Sequence, residues 1–558
     1  MTTTAPARPT AVEPGGIEAI PASKRHGSPW QLFATWSAPN LEFATVFVGF
    51  IAVAYFGLGF WQALAAIVLG NALGSATQGV LSTWGPREGL AQLVLSRTAF
   101  GSRGNILPAA INTVMAGLGW FAVNSVSGAL ALATLTGMPA WLALIIVVIL
   151  EVALAFVGHD LVQFFERYAS IVLGAIFLIA TISIFTVADV NSAVKGGGFS
   201  FGGFTLTVAA AFGYAAGWNP YASDYSRYLP KSTSKVKIGL AAGLGNFVSC
   251  TVLMAAGAAA ALITAPADAS PTAAFIHSMP AWIATLTLVA IAIGAIAANA
   301  LNVYSGAMSF LAAGIKIPFS LRRAIIAIGF GVIGFFIALV SILNERIAAN
   351  YENFLLVIAY WIAPWLGIVL VDRLIRRGTS ISAFIPDHAK YRNPAGVIAF
   401  VVATVFSILL FSNQQFFIGF IARSAPVGDL TALAGFVVAG VLYFGLFAAF
   451  RPRLGGPLSD DEYVVGVDAA EPFEASTDAP TTAVVPPSGR TSVLAILSLV
   501  FGLLGSNIIA IVLGHVAKRE IAKTGDSGDG LAMAGIVLGY FGLIVVLFLV
   551  LLLAFAHQ

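Results

Sequence analysis

The sequence predicts an all-α polytopic membrane protein: a bundle of about twelve spans followed by an appended two-helix hairpin. Three observations carry that prediction. The 558 residues are 59% hydrophobic and only 9% charged, with a mean hydropathy of +0.92, whereas soluble domains carry about 25% charged residues. Apolar runs of about 20 residues, the length that crosses a hydrocarbon core, recur between short charged or Pro/Gly-rich connections. Two of those runs, the first and the sixth, are interrupted by proline at matching places.

Residues 1–29 are Thr-, Ala- and Pro-rich with no apolar core, and read as a disordered tail without a cleavable signal peptide. Residues 30–453 read as a transporter domain. Its helices are expected near 32–58, 60–83, 106–134, 140–158, 166–188 and 204–222, then near 237–265, 281–312, 322–344, 354–376, 395–420 and 429–450. With Lys24 and Arg25 cytoplasmic, the loops on that side collect Arg87, Arg97, Arg227, Lys231, Arg322, Arg373, Arg376 and Arg451. The opposite side holds little beyond Lys195, Arg346 and Arg423. That asymmetry predicts a multi-pass protein of the cell membrane with both termini cytoplasmic. Residues 454–490 carry seven acidic residues and no Lys or Arg before Arg490, and read as an acidic disordered linker. Residues 491–558 hold two apolar runs, 492–516 and 531–556, joined by HVAKREIAKTGDSGDG. They predict the membrane hairpin.

Several function classes drop out on composition. The net charge of +3 is spread over short loops, so no nucleic-acid partner is expected. One cysteine, Cys250, and six scattered histidines give no disulfide framework and no metal cluster, and no cofactor is expected. A membrane enzyme would need clustered His, Cys or acidic groups at one depth. A primary pump would need a Gly–Lys nucleotide loop. Neither pattern is present, so the chain reads as a non-enzyme.

The residues that could carry chemistry sit at the interruptions. Trp36-Ser37-Ala38-Pro39-Asn40-Leu41-Glu42 lies in the first helix and Gly217-Trp218-Asn219-Pro220 in the sixth. Proline removes a helix hydrogen bond and clashes with the preceding turn. Paired breaks five helices apart are what an inverted five-helix repeat predicts, with backbone exposed near the bilayer midplane for substrate and ion. The alternative is a pair of plain proline kinks. In the third helix Trp120 and Asn124 are four residues apart and share a face, an indole beside a carboxamide that suits a planar heteroaromatic ligand. An interfacial Trp is the alternative. Asn299 and Asn302 share a face of the eighth helix, either as a ligand's partners or as interhelical glue. Glu42 and Glu151 are carboxylates in apolar surroundings and could load and release a proton. Glu42 is favoured because it adjoins the first break, with Glu151 the structural alternative. Asp224 and Arg227, one turn apart, read as an ion pair or gate hinge.

These segments resemble a family. GWNPYASDYSRYLP, WSAPNLEFATVFVG, GPREGLAQLVLSRTAFGSRGN, GWFAVNS and NALNVYSG are similar, in order and spacing, to the nucleobase:cation symporter family 1, over roughly residues 24–453. That family comprises purine–cytosine permeases, allantoin permeases and hydantoin transporters, and the chain looks closest to the cytosine/purine branch. The resemblance implies a five-plus-five inverted-repeat fold with two extra helices, and alternating access around a midplane site. It implies that Trp120 stacks on the base and Asn124 hydrogen-bonds it. Tyr214, Ala215, Gly217 and Trp218 would form the opposite wall, with Asn299 or Asn302 completing recognition. Ala215 stands where other members carry a stacking aromatic, so Tyr214 or Trp218 must substitute, or the base is held on one face. Sodium-coupled relatives use carbonyls matching Ala38 and Leu41 with hydroxyls from helix eight. Here AIAIGAIAANALN offers no hydroxyl before Ser305, so proton coupling through Glu42 is expected.

The expected function is cation-coupled import of cytosine or purines, with a proton or sodium, a nucleobase and the bilayer as partners. An allantoin, hydantoin or other heterocycle transporter with sodium coupling is the alternative, as is a transporter-derived sensor. The C-terminal hairpin resembles a small two-helix membrane domain of unknown function from actinobacterial proteins.

Overall fold

Every element longer than an isolated bridge is helical among the residues that the computed structural model describes. These are 16–155, 159–192, 199–263, 271–314, 322–344, 347–379, 381, 391–455, 492–503 and 506–524, with isolated positions from 526 to 539. The first expected range holds α1 (Gln31–Ser37) and α2 (Phe43–Ala54), joined through a tight turn at Ala38–Asn40 and bent by 59°. Next comes α3 (Phe60–Ser82). Helix α4 (Ile106–Val114) passes through a widened π-helical turn, Met115–Trp120, into α5 (Phe121–Thr136). Then follow α6 (Ala140–Ala155) and α7 (His159–Val187). Helix α8 (Phe201–Ala216) breaks, turns through Asn219–Tyr221 and resumes as α9 (Ala222–Ser226).

The second half runs α10 (Lys235–Ala260), α11 (Ala281–Ala312), α12 (Arg322–Leu343), α13 (Ile347–Ile375), α14 (Pro394–Phe411) and α15 (Thr431–Phe450). Eight helices among the described residues are long and apolar enough to cross a bilayer, or nine if the bent α1–α2 pair counts as one span. The apolar stretches Ala140–Leu154 of α6 and Ala327–Leu343 of α12 are shorter, and the break at residue 217 splits α8 from α9.

Two compact units are distinguished, Met1–Gly314 with Phe330–Tyr463, and Ile315–Gly329 with Val464–Gln558. In the first, α3 packs on both α8 and α10, and α10 also packs on α2. Small residues make those seams. A methyl group at Gly74 would lie 2.7 Å from the Ala216 amide nitrogen, and one at Gly79 would lie 2.6 Å from the Gly239 carbonyl. A methyl at Gly257 would overlap the carbonyl of Val46. In a bilayer such close contact replaces the hydrophobic drive for helix association. Gly257→Val is therefore expected to cost about 1–3 kcal/mol, because backbone cannot yield as a side chain would. A lowered melting temperature of the detergent-solubilised protein checks this.

Two expectations need correcting. Residues 16–29 are held in place rather than belonging to a disordered tail, while residues 1–15 lie outside the described part. The Ile20 amide donates to the Gly89 carbonyl at 2.9 Å, the His26 amide to the Tyr228 carbonyl at 2.7 Å, and Arg25 Nη1 to the Pro86 carbonyl at 2.6 Å. Backbone pairing and two arginines, Arg25 and Arg227, fix this segment, and composition reports neither. In the second unit the apolar run 492–516 is not one helix. It divides into α16 (Val493–Leu503) and α17 (Asn507–Thr524), and α17 carries into the charged joining segment. The Ser506 amide donates to the Phe501 carbonyl at 2.9 Å before Asn507 opens the second helix, and Ser498 Oγ donates to the Ala510 carbonyl at 2.8 Å across the pair. Most of the second run, 531–556, and nearly all of the linker lie outside the described residues.

Candidate functional site

The first break is built by Pro39, which supplies no amide, and by Glu42, whose backbone is extended (φ −155°, ψ 174°). Glu42 then caps α2, its Oε2 accepting from the Ala44 amide at 2.8 Å, as a side-chain oxygen does at a helix start. The second break follows Gly217 and turns at Pro220. The two breaks face each other and are bonded together. Trp218 Nε1 donates to Asn40 Oδ1 at 2.8 Å, and the Tyr214 hydroxyl donates to Glu42 Oε1 at 3.2 Å. Thr45 Oγ1 bonds the same Tyr214 hydroxyl. Asn246 of α10 ties both sides, accepting from Asn40 Nδ2 at 3.1 Å and donating to the Ala215 carbonyl at 3.0 Å. All of these residues are buried.

Of the two expected ion-coordinating carbonyls, that of Ala38 accepts the Leu41 amide at 3.0 Å. The Leu41 carbonyl lies against Gly294 of α11, where an added methyl would overlap it. The helix-eight residue facing this carbonyl therefore carries no hydroxyl.

Trp120 ends the widened turn between α4 and α5, and such turns re-aim side chains at functional positions. Its ring meets the edges of Tyr214 (5.2 Å, 87°) and Phe354 (5.1 Å, 79°). A methyl at Gly217 would come within 3.2 Å of Trp120 Nε1, so the indole nitrogen lies beside the broken backbone. One helical turn on, Asn124 Nδ2 donates to Asn299 Oδ1 at 3.1 Å, and Asn302 Nδ2 donates to that same oxygen at 3.3 Å. Asn299 Nδ2 donates to the Phe121 carbonyl at 2.9 Å and to Ser125 Oγ at 3.2 Å. Ser125 Oγ in turn donates to Glu151 Oε2 at 2.6 Å.

The structure thus gathers Trp120, Tyr214 and Gly217 in one place, Asn124, Asn299 and Asn302 in a second, and Glu42 at the joint between the breaks. Ala215 and Trp218 turn elsewhere. The Ala215 methyl faces Gly74 of α3. Trp218 is committed to Asn40 and packs on Trp36 (6.0 Å) and Tyr221 (5.8 Å). Trp218, like Tyr214 one turn before it, is bonded to the first break. Arg227 donates Nε to the backbone carbonyl of Asp224 at 3.2 Å, while Asp224 Oδ1 accepts from the Gln92 amide at 2.8 Å. Arg227 also reaches the Gly16 carbonyl at 3.0 Å and the Tyr304 hydroxyl at 3.2 Å. The pair therefore anchors the N-terminal segment and the connection after α3 onto α9.

Asn40, Asn246 and Ser125 were not singled out from the sequence. Each is a polar residue within a membrane-length apolar run, and that was the available signal.

Known proteins bear on these elements. The family of permeases for cytosine/purines, uracil, thiamine and allantoin matches residues 19–437, and a domain of unknown function, DUF4190, matches residues 494–549. YxlA of Bacillus subtilis is 30% identical over 462 residues, covering 79% of this chain and 97% of its own. Purine-cytosine permease fcyB of Emericella nidulans is 28% identical, covering 78% of this chain and 88% of its own. Among solved structures, Mhp1, a nucleobase-cation-symport-1 family transporter in a closed conformation with bromovinylhydantoin bound, superposes with a TM-score of 0.63. It is 19% identical and covers 82% of this chain and 99% of that one, which shows the shared transporter fold.

Proposed function

The chain belongs to the permease family for cytosine/purines, uracil, thiamine and allantoin, and from that premise we propose a secondary active transporter that imports a nucleobase by cation symport. Cytosine or a purine is the expected substrate, since fcyB and the Saccharomyces cerevisiae relative FCY2 are purine-cytosine permeases. One observation carries this reading most: the buried amides Asn124 and Asn302 both donate to Asn299, with Asn124 one helical turn from Trp120. Carboxamides pair both donor and acceptor edges of a base, and an indole face stacks on its ring. Exchange of amide–amide bonds for amide–base bonds keeps every polar group satisfied, as burial demands. Gly217 lets the broken backbone lie close to the indole, where an added methyl would come within 3.2 Å of its nitrogen.

Coupling follows from the bond between Tyr214 and Glu42. Tyr214 touches Trp120 with its ring and Glu42 with its hydroxyl. A base that moves Tyr214 therefore alters the partners of the carboxylate, and a proton on Glu42 alters those of Tyr214. A proton is favoured over sodium because Gly294 faces the Leu41 carbonyl where a hydroxyl ligand would be needed. Glu151, joined to Asn299 through Ser125, supports the amide cluster and is the second carboxylate to test. The chain is a multi-pass membrane transporter by family. The plasma membrane, with both termini cytoplasmic, is supported by the basic residues collected on one set of loops.

Competition of labelled cytosine uptake by a panel of nucleobases, allantoin and hydantoins tests the substrate reading. Inhibition by cytosine and purines at lower concentrations than by allantoin or hydantoin is expected, and the reverse order would reject it. A role as a sensor predicts that the tail is indispensable. Because Arg376 Nη1 donates to the carbonyls of Arg453 (2.6 Å) and Leu454 (2.7 Å), the truncation belongs after Gly455. That truncated protein is expected to retain full uptake.

A further inference from the structure

Helices α3 and α10 leave a groove on the outer side of the bundle that transport as described so far does not use. Its volume is about 500 Å³, within the range of about 300–1,000 Å³ that takes a ligand of moderate size. Glycine makes its floor. A methyl at Gly79 would lie 2.6 Å from the Gly239 carbonyl, and one at Gly243 would lie 3.1 Å from the Ser75 carbonyl. With so little side chain along that seam, the walls are left to Val80, Leu240, Leu244 and Phe247. Of these, Val80, Leu240 and Leu244 are exposed, as are Ala72 and Ala76 on the α3 side.

The groove has the length of one leaflet and a charged end. From Ala72 to Thr83 along α3 is about 16 Å at 1.5 Å per residue, close to half of a hydrocarbon core roughly 30 Å thick. On α10 the lining residue nearest the helix start is Val236, and Lys235 and Lys237 flank it, one on each side, both exposed. Nothing acidic opposes them: residues 70–87 and 231–260 contain no Asp or Glu. Glu88, which follows α3, is held by Arg87 at 3.4 Å and Arg373 at 3.0 Å.

An empty apolar groove in a bilayer forfeits dispersion contacts along its walls, so a lipid chain fills it. Chain packing alone does not choose among lipids, because all of them offer the same hydrocarbon. The lysines make the choice, since cationic side chains at the membrane surface attract a negative headgroup. We propose that the groove between α3 and α10 is a binding site for one anionic phospholipid from the leaflet at the basic end of the bundle. One acyl chain lies between the helices, and the phosphate pairs with Lys235 and Lys237. The site depends neither on the identity of the transported base nor on the coupling ion.

The test separates the headgroup from the chain. Full-chain protein in neutral detergent is titrated with phosphatidylglycerol or phosphatidylcholine of identical acyl chains, and bound lipids are counted by native mass spectrometry. At about fivefold per lysine, the parent is expected to take its first phosphatidylglycerol at a concentration about 25-fold below that for phosphatidylcholine. Lys235→Gln combined with Lys237→Gln is expected to bring the two lipids level. Ala76→Trp, which fills the groove from an exposed position, is expected to bind one phosphatidylglycerol fewer while keeping the parent's melting temperature in lipid-free detergent. A parent without preference for phosphatidylglycerol, or a preference that survives the lysine pair, would overturn the proposal. So would an Ala76→Trp variant that binds as many anionic lipids as the parent, since attraction to the lysines would then need no groove. A parent of twice the chain mass that Ala76→Trp splits would make the groove an interface between copies, and overturn it as well. If Ala76→Trp does not fold, the exposed lysine pair decides alone.

Discussion

Trp120→Ala is expected to lower the efficiency of base uptake by about 10- to 100-fold, the value of about 1–3 kcal/mol that stacking contributes per base. The indole is held edge-on by Tyr214 and Phe354 and sits at the end of a widened turn, so its orientation is set before any ligand arrives. Pre-orientation lowers the entropy that binding must cost. Removing the ring loses the stacking surface and also frees Tyr214, whose hydroxyl is bonded to Glu42. Trp120→Phe keeps a smaller aromatic face and is expected to recover much of the affinity. Concentration dependence of labelled cytosine uptake in cells, normalised to surface protein, reads both. An alanine variant with unchanged half-saturation would place the base elsewhere.

Glu42→Gln is expected to abolish accumulation driven by a proton gradient while leaving exchange of internal for external base measurable. The amide can still accept from the Ala44 amide, so the helix cap survives in part. It cannot gain or lose a proton. Net uptake should fall by about 100-fold and lose its dependence on external pH. Tyr214→Phe, which deletes the bond from the base wall to Glu42, is expected to weaken coupling less severely. Equal loss of exchange and net uptake in Glu42→Gln would make the carboxylate a structural cap and shift the proton to Glu151, which is bonded to Ser125 beside Asn299.

What the sequence made legible follows from how each feature is encoded. Proline and glycine in two apolar runs leave a local signature, so the paired breaks could be located to within a few residues. The faces shared by Trp120 with Asn124 and by Asn299 with Asn302 follow from helical spacing alone. The widened turn at Met115–Trp120 leaves no such mark, since no residue type demands it. Trp218 is carried over to the wall opposite Trp120 from the family resemblance, and its indole nitrogen bonds Asn40 here. Asn246 ties the two breaks from a distant helix, and no local pattern could pair it with them. The hairpin boundary slipped because hydropathy reads through Gly505-Ser506-Asn507 as one apolar run.

The most direct measurement is accumulation of labelled cytosine by the purified protein in liposomes, with either an inward proton gradient and no sodium or an inward sodium gradient at equal pH. Accumulation above equilibrium with the proton gradient alone, abolished by Glu42→Gln and weakened by Trp120→Ala, is the expected result. Accumulation that needs sodium, or no accumulation of cytosine or a purine under either gradient, would contradict a nucleobase–proton symporter built on the joint between these two broken helices.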